Sequence, residues 1–202
     1  MPAARPYHHG NLKEALREAA LALIAEIGPR GFTLREVARR AGVSHNAPYR
    51  HFRDREALLA AVATEGFDRL TRALASAGPK SAPRERLRKC GMAYVEFALS
   101  WPEHFAAMFH APWDKKTYPE CAAAAGRCFQ TLLGFVRDAQ ASGQLPPGDA
   151  TRIANSAWSI VHGIATLANN GLLPGHSRAD VLRFCKYALN LQLDGRRERG
   201  LK

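Results

Sequence analysis

The stretch FTLREVARRAGVSHNAPYRHFRDRE, from Phe32 to Glu56, limits what this chain can fold into more than any other part of it. Thr33 precedes Glu36 by three residues, the spacing of a capping box. In that motif the threonine hydroxyl takes the glutamate amide and the glutamate carboxylate reaches back to the threonine amide. Phe32 is the apolar residue in front of the cap. Leu34, Val37, Ala38 and Ala41 recur at helical intervals, which turns Arg35, Glu36, Arg39 and Arg40 away from the apolar face. Gly42 ends the run because glycine takes the left-handed conformation that closes a helix, and Val43 is expected to drop into the core behind it. Ser44 is expected to open the next helix as its N-cap.

Two helices joined by a short glycine turn make a helix-turn-helix, whose second member reads the DNA major groove. That member runs from His45 to His51. Its residue types suit double-stranded DNA: Asn46 can pair with adenine, Arg50 with guanine or phosphate, and Tyr49, His45 and His51 with phosphate oxygens. Pro48 lacks an amide proton but lies in the first turn, where the loss is small, so a short and slightly strained recognition helix is expected. The competing reading is an αα-hairpin in a helical core that never meets nucleic acid. The coincidence of capping box, glycine turn, serine and polar-aromatic second helix favours DNA.

Through LREVARRAGVSHNAPYRHFRDREALLAAV at 34–62, and the opening YHHGNLKEALREAALALI, the chain resembles the TetR family of bacterial transcriptional regulators. It is similar within that family to the branch whose sensor domain carries Trp, three residues, then His-Gly, here Trp158, His162 and Gly163. The resemblance and the residue types together give Thr33, Arg35, Ser44, His45, Asn46, Ala47, Tyr49, Arg50, His51 and Arg55 as candidate DNA contacts. Arg55 occupies the place of a family lysine that binds phosphate; it keeps the charge and changes the geometry. The resemblance also implies a homodimeric, ligand-responsive regulator of the bacterial cytoplasm and nucleoid, bound to an operator, with no cofactor. Repressor is the expected sign, because an effector-releasable roadblock needs no contact with polymerase.

The formal charge of +11 and pI near 10.0 make nucleic acid or another anionic surface the first partner to consider. Charge does not locate the site. Residues 1–72 hold 12 Lys and Arg against 8 Asp and Glu, so +7 of the +11 lies beyond them. Cys90, Cys121, Cys128 and Cys185 show no CxxC spacing and follow no secretory signal, so they read as buried thiols rather than metal ligands or disulfides. No apolar run is long enough to span a bilayer, so no membrane partner is expected.

Along the chain, residues 1–8 read as a loose basic arm, and His8 and His9 as solvated. A first helix is expected from an Asn11 cap, with Leu12, Leu16, Ala19, Leu23 and Ile27 on one face. Asp54 is expected to cap a long helix through Ala77, striped by Leu59, Ala63, Phe67, Leu70 and Leu74. Gly78 to Pro83 is the clearest linker. A DNA-binding domain at 1–55 and a regulatory and dimerisation domain at 56–202, with 56–77 as linking helix, follow from this punctuation. The fold class is all-α: a three-helix N-terminal head and a C-terminal helical ligand-binding and dimerisation bundle.

In the second half Pro102 separates a central helix from a short aromatic one. Further helices are expected at about 120–141, from Asp149 or Thr151, and from Ser177 or Asp180. The last two are apolar enough to dimerise. Phe97, Trp101, Phe105, Met108, Phe109, Phe129, Trp158 and His162 are the candidates for lining an effector pocket, against the alternative that they are core. An enzyme is disfavoured, since no catalytic residues, nucleophile elbow, HExxH, phosphate loop or acidic cluster stands out. A helical protein with this head that binds partners, or DNA without sequence preference and with no effector, is the other reading.

Overall fold

The computed structural model describes residues 12–173 and 177–194. The expected basic arm, the His8 and His9 pair and the Asn11 cap lie outside them. The described residues form eight α-helices and one 3-10 helix, with no strand among them. In order these are α1 (Leu12–Ile27), α2 (Leu34–Arg40), the 3-10 helix (Ala47–Arg50), α3 (Arg55–Ser76), α4 (Pro83–Ser100), α5 (Pro102–Phe109), α6 (Pro119–Ala141), α7 (Ala150–Asn169) and α8 (Arg178–Asp194).

The chain divides into two compact units. One extends through Gly66 and takes in Glu103–Cys121; the other holds Phe67–Pro102 and the described residues from Ala122 onward. This differs from the border expected at 55/56. The division falls inside α3, and the head gains α5. Packing explains the difference: a Cβ added at Gly66 would lie 2.6 Å from the Met108 sulfur, so α3 and α5 meet at van der Waals range with no side chain between them. Phe105 and Met108 of α5 are buried at 1% and 2% exposure. Periodicity identified α5 as amphipathic but not which helices it covers.

In the first unit α1 buries Leu16, Ala19, Ala20, Leu23 and Ile24. Ile27, expected on that face, is exposed, because Ile24 takes the inward position before Gly28 ends the helix with φ +78°. Glu65 of α3 lies 3.8 Å from Arg17 of α1 and 3.6 Å from the buried His104 of α5, so its carboxylate stands between two basic groups.

In the second unit α4 packs against α7 and α8 and buries Leu87, Cys90, Tyr94, Val95, Phe97 and Ala98, as its two-faced pattern predicts. Trp101, expected on the same face, is half exposed at the helix end. Gly91 lets α4 approach α8: a Cβ there would be 2.9 Å from both methyls of Leu189. Asp149 caps α7 by accepting from the amides of Thr151 and Arg152. Ser177 and Asp180 form a capping box at the start of α8, each side chain accepting the other's amide.

Candidate nucleic-acid interface

The capping box of α2 forms as expected. Thr33 is the N-cap in extended conformation, the Glu36 amide donates to its hydroxyl at 3.3 Å, and its own amide donates to the Glu36 carboxylate at 2.7 Å. Those bonds from Thr33 hold the Glu36 carboxyl below its ordinary range. Phe32, in front of the cap, is 1% exposed. At the other end Gly42 has φ +67°; its amide donates to the Arg39 carbonyl and the Val43 amide to the Ala38 carbonyl. This is a Schellman closure.

The turn then departs from expectation in two places. Ser44 does not cap the recognition element with its side chain; its carbonyl accepts the Ala47 amide in a turn, and Asn46 stands in the cap position without a side-chain cap bond. The residue that drops into the core is Pro48, while Val43 is only half-buried. These are one event. With Pro48 buried and lacking an amide, the segment tightens into a single 3-10 turn whose Pro48 carbonyl accepts from both His51 and Phe52.

Burying Pro48 turns its neighbours outward. Ser44, His45, Asn46, Tyr49, Arg50 and His51 are exposed, Ala47 is half-buried, and Thr33 and Arg35 at the start of α2 are exposed as well. Tyr49, at 52%, is the most conspicuous, since an exposed aromatic with a free phenol edge is an unusual use of surface. The 3-10 turn packs on α2, so a stiff helix supports the exposed row. Such a surface can make phosphate contacts and hydrogen bonds to base edges.

Arg55 has other duties here. Its guanidinium donates to the carbonyls of Arg30 and Phe32 at 3.0 and 3.2 Å and to the Glu56 carboxylate at 2.8 Å, which ties the start of α3 to the α1–α2 loop. A lysine could not make this fork of bonds, which is the altered geometry that the substitution foreshadowed.

Asp54 caps α3 through the Ala57 amide at 2.7 Å. Its carboxylate also accepts from the Tyr118 hydroxyl at 2.9 Å and from Arg53 at 2.9 Å, and the Arg53 guanidinium lies 5.1 Å from the centre of the Tyr118 ring. Burial raises the Asp54 pKa, but these bonds outweigh it and the net shift is downward. Tyr118 escaped the sequence reading because it stands far along the chain from Asp54 and has no local signal.

The eight pocket candidates do not converge on one cavity. Phe105, Met108 and Phe109 belong to α5 in the first unit, where Phe105 packs on Phe109 at 4.9 Å. Phe97 and Trp101 line a shallow groove, with the Arg69 guanidinium 4.5 Å from the centre of the Trp101 ring. Phe129 meets Trp158 edge-on at 6.3 Å. Of the eight, only Trp158 lines the main cavity of the second unit, a space of about 480 Å³ whose walls come from α3, α4, α6, α7 and α8. Leu74, Leu87, Leu132, Val136, Val161 and Leu189 make most of its surface apolar.

His162 does not line that cavity either. Trp158 and His162 are one helical turn apart on α7, and both reach the hydroxyl of Tyr94 on α4: Trp158 Nε1 donates to it at 3.2 Å, and it lies 2.9 Å from His162 Nδ1. The hydroxyl proton is thereby left to His162. Burial pushes the Tyr94 phenol pKa up, so it stays neutral. Tyr94 is the partner that explains why the Trp and His share a spacing, and its place on a central apolar helix concealed it.

The four cysteines are buried and form no disulfide, and burial raises their thiol pKa values, to about 12 for Cys90 and Cys185 and about 11 for Cys121 and Cys128. Among the described residues no group of three or more His, Cys, Asp or Glu could hold a metal ion, and no helix is long and apolar enough to cross a membrane.

Residues 16–62 match the tetR family of bacterial regulatory proteins, and residues 87–190 match the tetracyclin repressor-like C-terminal domain. A Mycobacterium tuberculosis protein, the HTH-type transcriptional repressor Rv3405c, is 35% identical over 77 residues, which cover 38% of this chain and 41% of that protein. A Rhodococcus sp. RHA1 protein of unknown function is 41% identical with TM-score 0.79, over 95% of this chain and 98% of that one. AibR, in its complex with isovaleryl coenzyme A and operator DNA, shares the fold at 22% identity and TM-score 0.73, over 90% of this chain and 97% of that one. This chain belongs to the TetR family: it is an all-α transcriptional regulator with an N-terminal helix-turn-helix DNA-binding domain and a C-terminal helical domain.

Proposed function

We propose that this regulator is a homodimeric repressor, released from its operator when a small, largely apolar ligand occupies the cavity of the second unit. The observation that carries the reading is the continuity of α3. It begins beside the recognition turn, at the Asp54 cap, and Leu74 near its far end is part of the cavity wall. A ligand that favours one position of that wall therefore favours one position of the helix, and differential affinity for the two positions is what lets it release DNA.

The address is read by His45, Asn46 and Arg50, with Tyr49, His51, Thr33 and Arg35 on phosphates. Arg55 acts here by holding the α1–α2 loop. Dimerisation through α7 and α8 is supported by Leu167, Phe184 and Leu191, which are 41%, 46% and 44% exposed on those two helices. A dimer also supplies the second recognition turn that a short reading element needs. AibR is the structural precedent for an effector and an operator on this fold. The Tyr94, Trp158 and His162 cluster serves as a clamp between α4 and α7.

The test is fluorescence anisotropy with DNA from upstream of the protein's own gene and with random duplex, over a range of salt and with a panel of medium-chain alcohols, amides and carboxylic acids. The expected result is salt-dependent binding with a clear preference for the upstream DNA, loosened by one compound class, and a dimer in analytical ultracentrifugation. Equal affinity for both duplexes, or a monomer bound to operator, defeats the proposal.

A further inference from the structure

The geometry points to an effector with an apolar body and one uncharged hydrogen-bonding group, an amide or an alcohol, that pairs with Gln192 in the α4–α7–α8 cavity. The assignment rests on reading this cavity as the effector site.

The polar groups of the wall are few, and most are already committed. The Tyr94 hydroxyl faces Trp158 Nε1 and His162 Nδ1. The Cys90 thiol is held protonated by burial, with its pKa raised to about 12, so it offers neither an anion nor a strong acceptor. Arg152 is the one charged side chain in the wall among the described residues, yet 89% of its side chain is exposed to water and it lies 3.8 Å from the Asp149 carboxylate. A cation so screened and already paired adds little to the binding of a buried anion.

Gln192 is different. Its amide nitrogen donates to the Ser156 hydroxyl at 3.4 Å, while its Oε1 is buried and has no hydrogen-bond partner among the described residues. Both residues line the cavity. A buried amide oxygen without a donor is costly, and a ligand N–H or O–H removes that cost. If the amide is turned over, Ser156 donates to Oε1 and the NH2 faces the cavity, which again asks for a neutral polar partner. A carboxylate would enter an apolar space with no cation committed to it, which is strongly disfavoured.

Isothermal titration calorimetry of the full chain, without DNA, tests this with octanamide, 1-octanol and octanoate. Octanamide and 1-octanol are expected to bind, with octanoate weaker by about tenfold or more. Gln192→Leu is expected to weaken octanamide by about tenfold. Gln192→Glu keeps an acceptor for the amide N–H and so retains octanamide while excluding octanoate; it also serves if the leucine variant does not fold, which thermal melting of the free protein reveals. Octanoate binding as tightly as octanamide, no binding by any of the three, or unchanged octanamide affinity in Gln192→Leu overturns the assignment. Operator affinity measured separately tells the two proposals apart: Gln192-dependent octanamide binding that leaves operator affinity unchanged supports the ligand class and defeats ligand-driven release.

Discussion

The recognition segment and the cavity wall are held together by different means. From Phe32 to Asp54 the contacts close over three to five residues: Thr33 with Glu36, Val43 with Ala38, Phe52 with Pro48, Ala57 with Asp54. The wall joins residues from Leu74 to Leu193, brought together by helices that share no local bond, and it encloses open space. Local closure leaves the first region one conformation to adopt. Long-range packing around a void leaves the second room to respond, because a void lining has no partner atoms to lose when it moves. A regulator needs both, a reader with one shape and a sensor with more than one.

The contrast can be broken most forcefully at Phe32. Phe32→Ala removes a fully buried ring from the reader and is expected to cost about 3–5 kcal/mol in urea unfolding, with operator binding lost alongside. A cost below roughly 1 kcal/mol would show that the reader is not packed around this residue. Tyr94→Phe probes the sensor. It deletes the hydroxyl shared by Trp158 and His162 and is expected to cost about 1–2 kcal/mol, less than full burial would imply because both partners are half-buried. Retained operator affinity in this variant sharpens the contrast, and lost affinity collapses it.

Thr33→Ala removes one half of the capping box, with an expected loss of about 1 kcal/mol in thermal melting. The smallest effect is that of acid. Glu36 titrates below its ordinary range in the folded chain, so its contribution is complete above the usual carboxylate range and disappears as pH falls through the lowered value. Amide exchange at Thr33, followed by NMR, should accelerate over that acidic window and remain constant at neutral pH. Constant exchange on acidification would mean that the Glu36 carboxylate does not protect this amide.

Legibility in the sequence follows the same division. The helices, the Thr33 and Asp54 caps, the Gly42 closure and the stripe from Leu59 to Leu74 were readable because each is a relation between near neighbours, and near neighbours are what a sequence displays. Ser44 was misjudged because cap propensity competed with the burial of Pro48, and burial won. The pocket candidates scattered for a deeper reason. Apolar spacing shows that Phe105 and Met108 face inward, but not that α5 packs on the first half of α3, nor that Tyr94 stands across from Trp158 and His162. Those facts belong to pairs of helices. Gln192 stood out in no pattern, since a single glutamine on an amphipathic helix is unremarkable until its neighbours are known.

One consequence of α3 concerns mechanics. Its 22 residues make a rod about 33 Å long, unbroken by any proline. A stiff rod turns an angle into a distance: tilting it by about 5° carries one end roughly 3 Å relative to the other. That displacement is as long as the N–H···O bonds that read a base edge, about 2.7–3.2 Å. A ligand therefore has no need to unfold or refold anything. A change of wall position smaller than a methyl group's width at Leu74, amplified along the rod, is enough to take a recognition turn out of register with its groove.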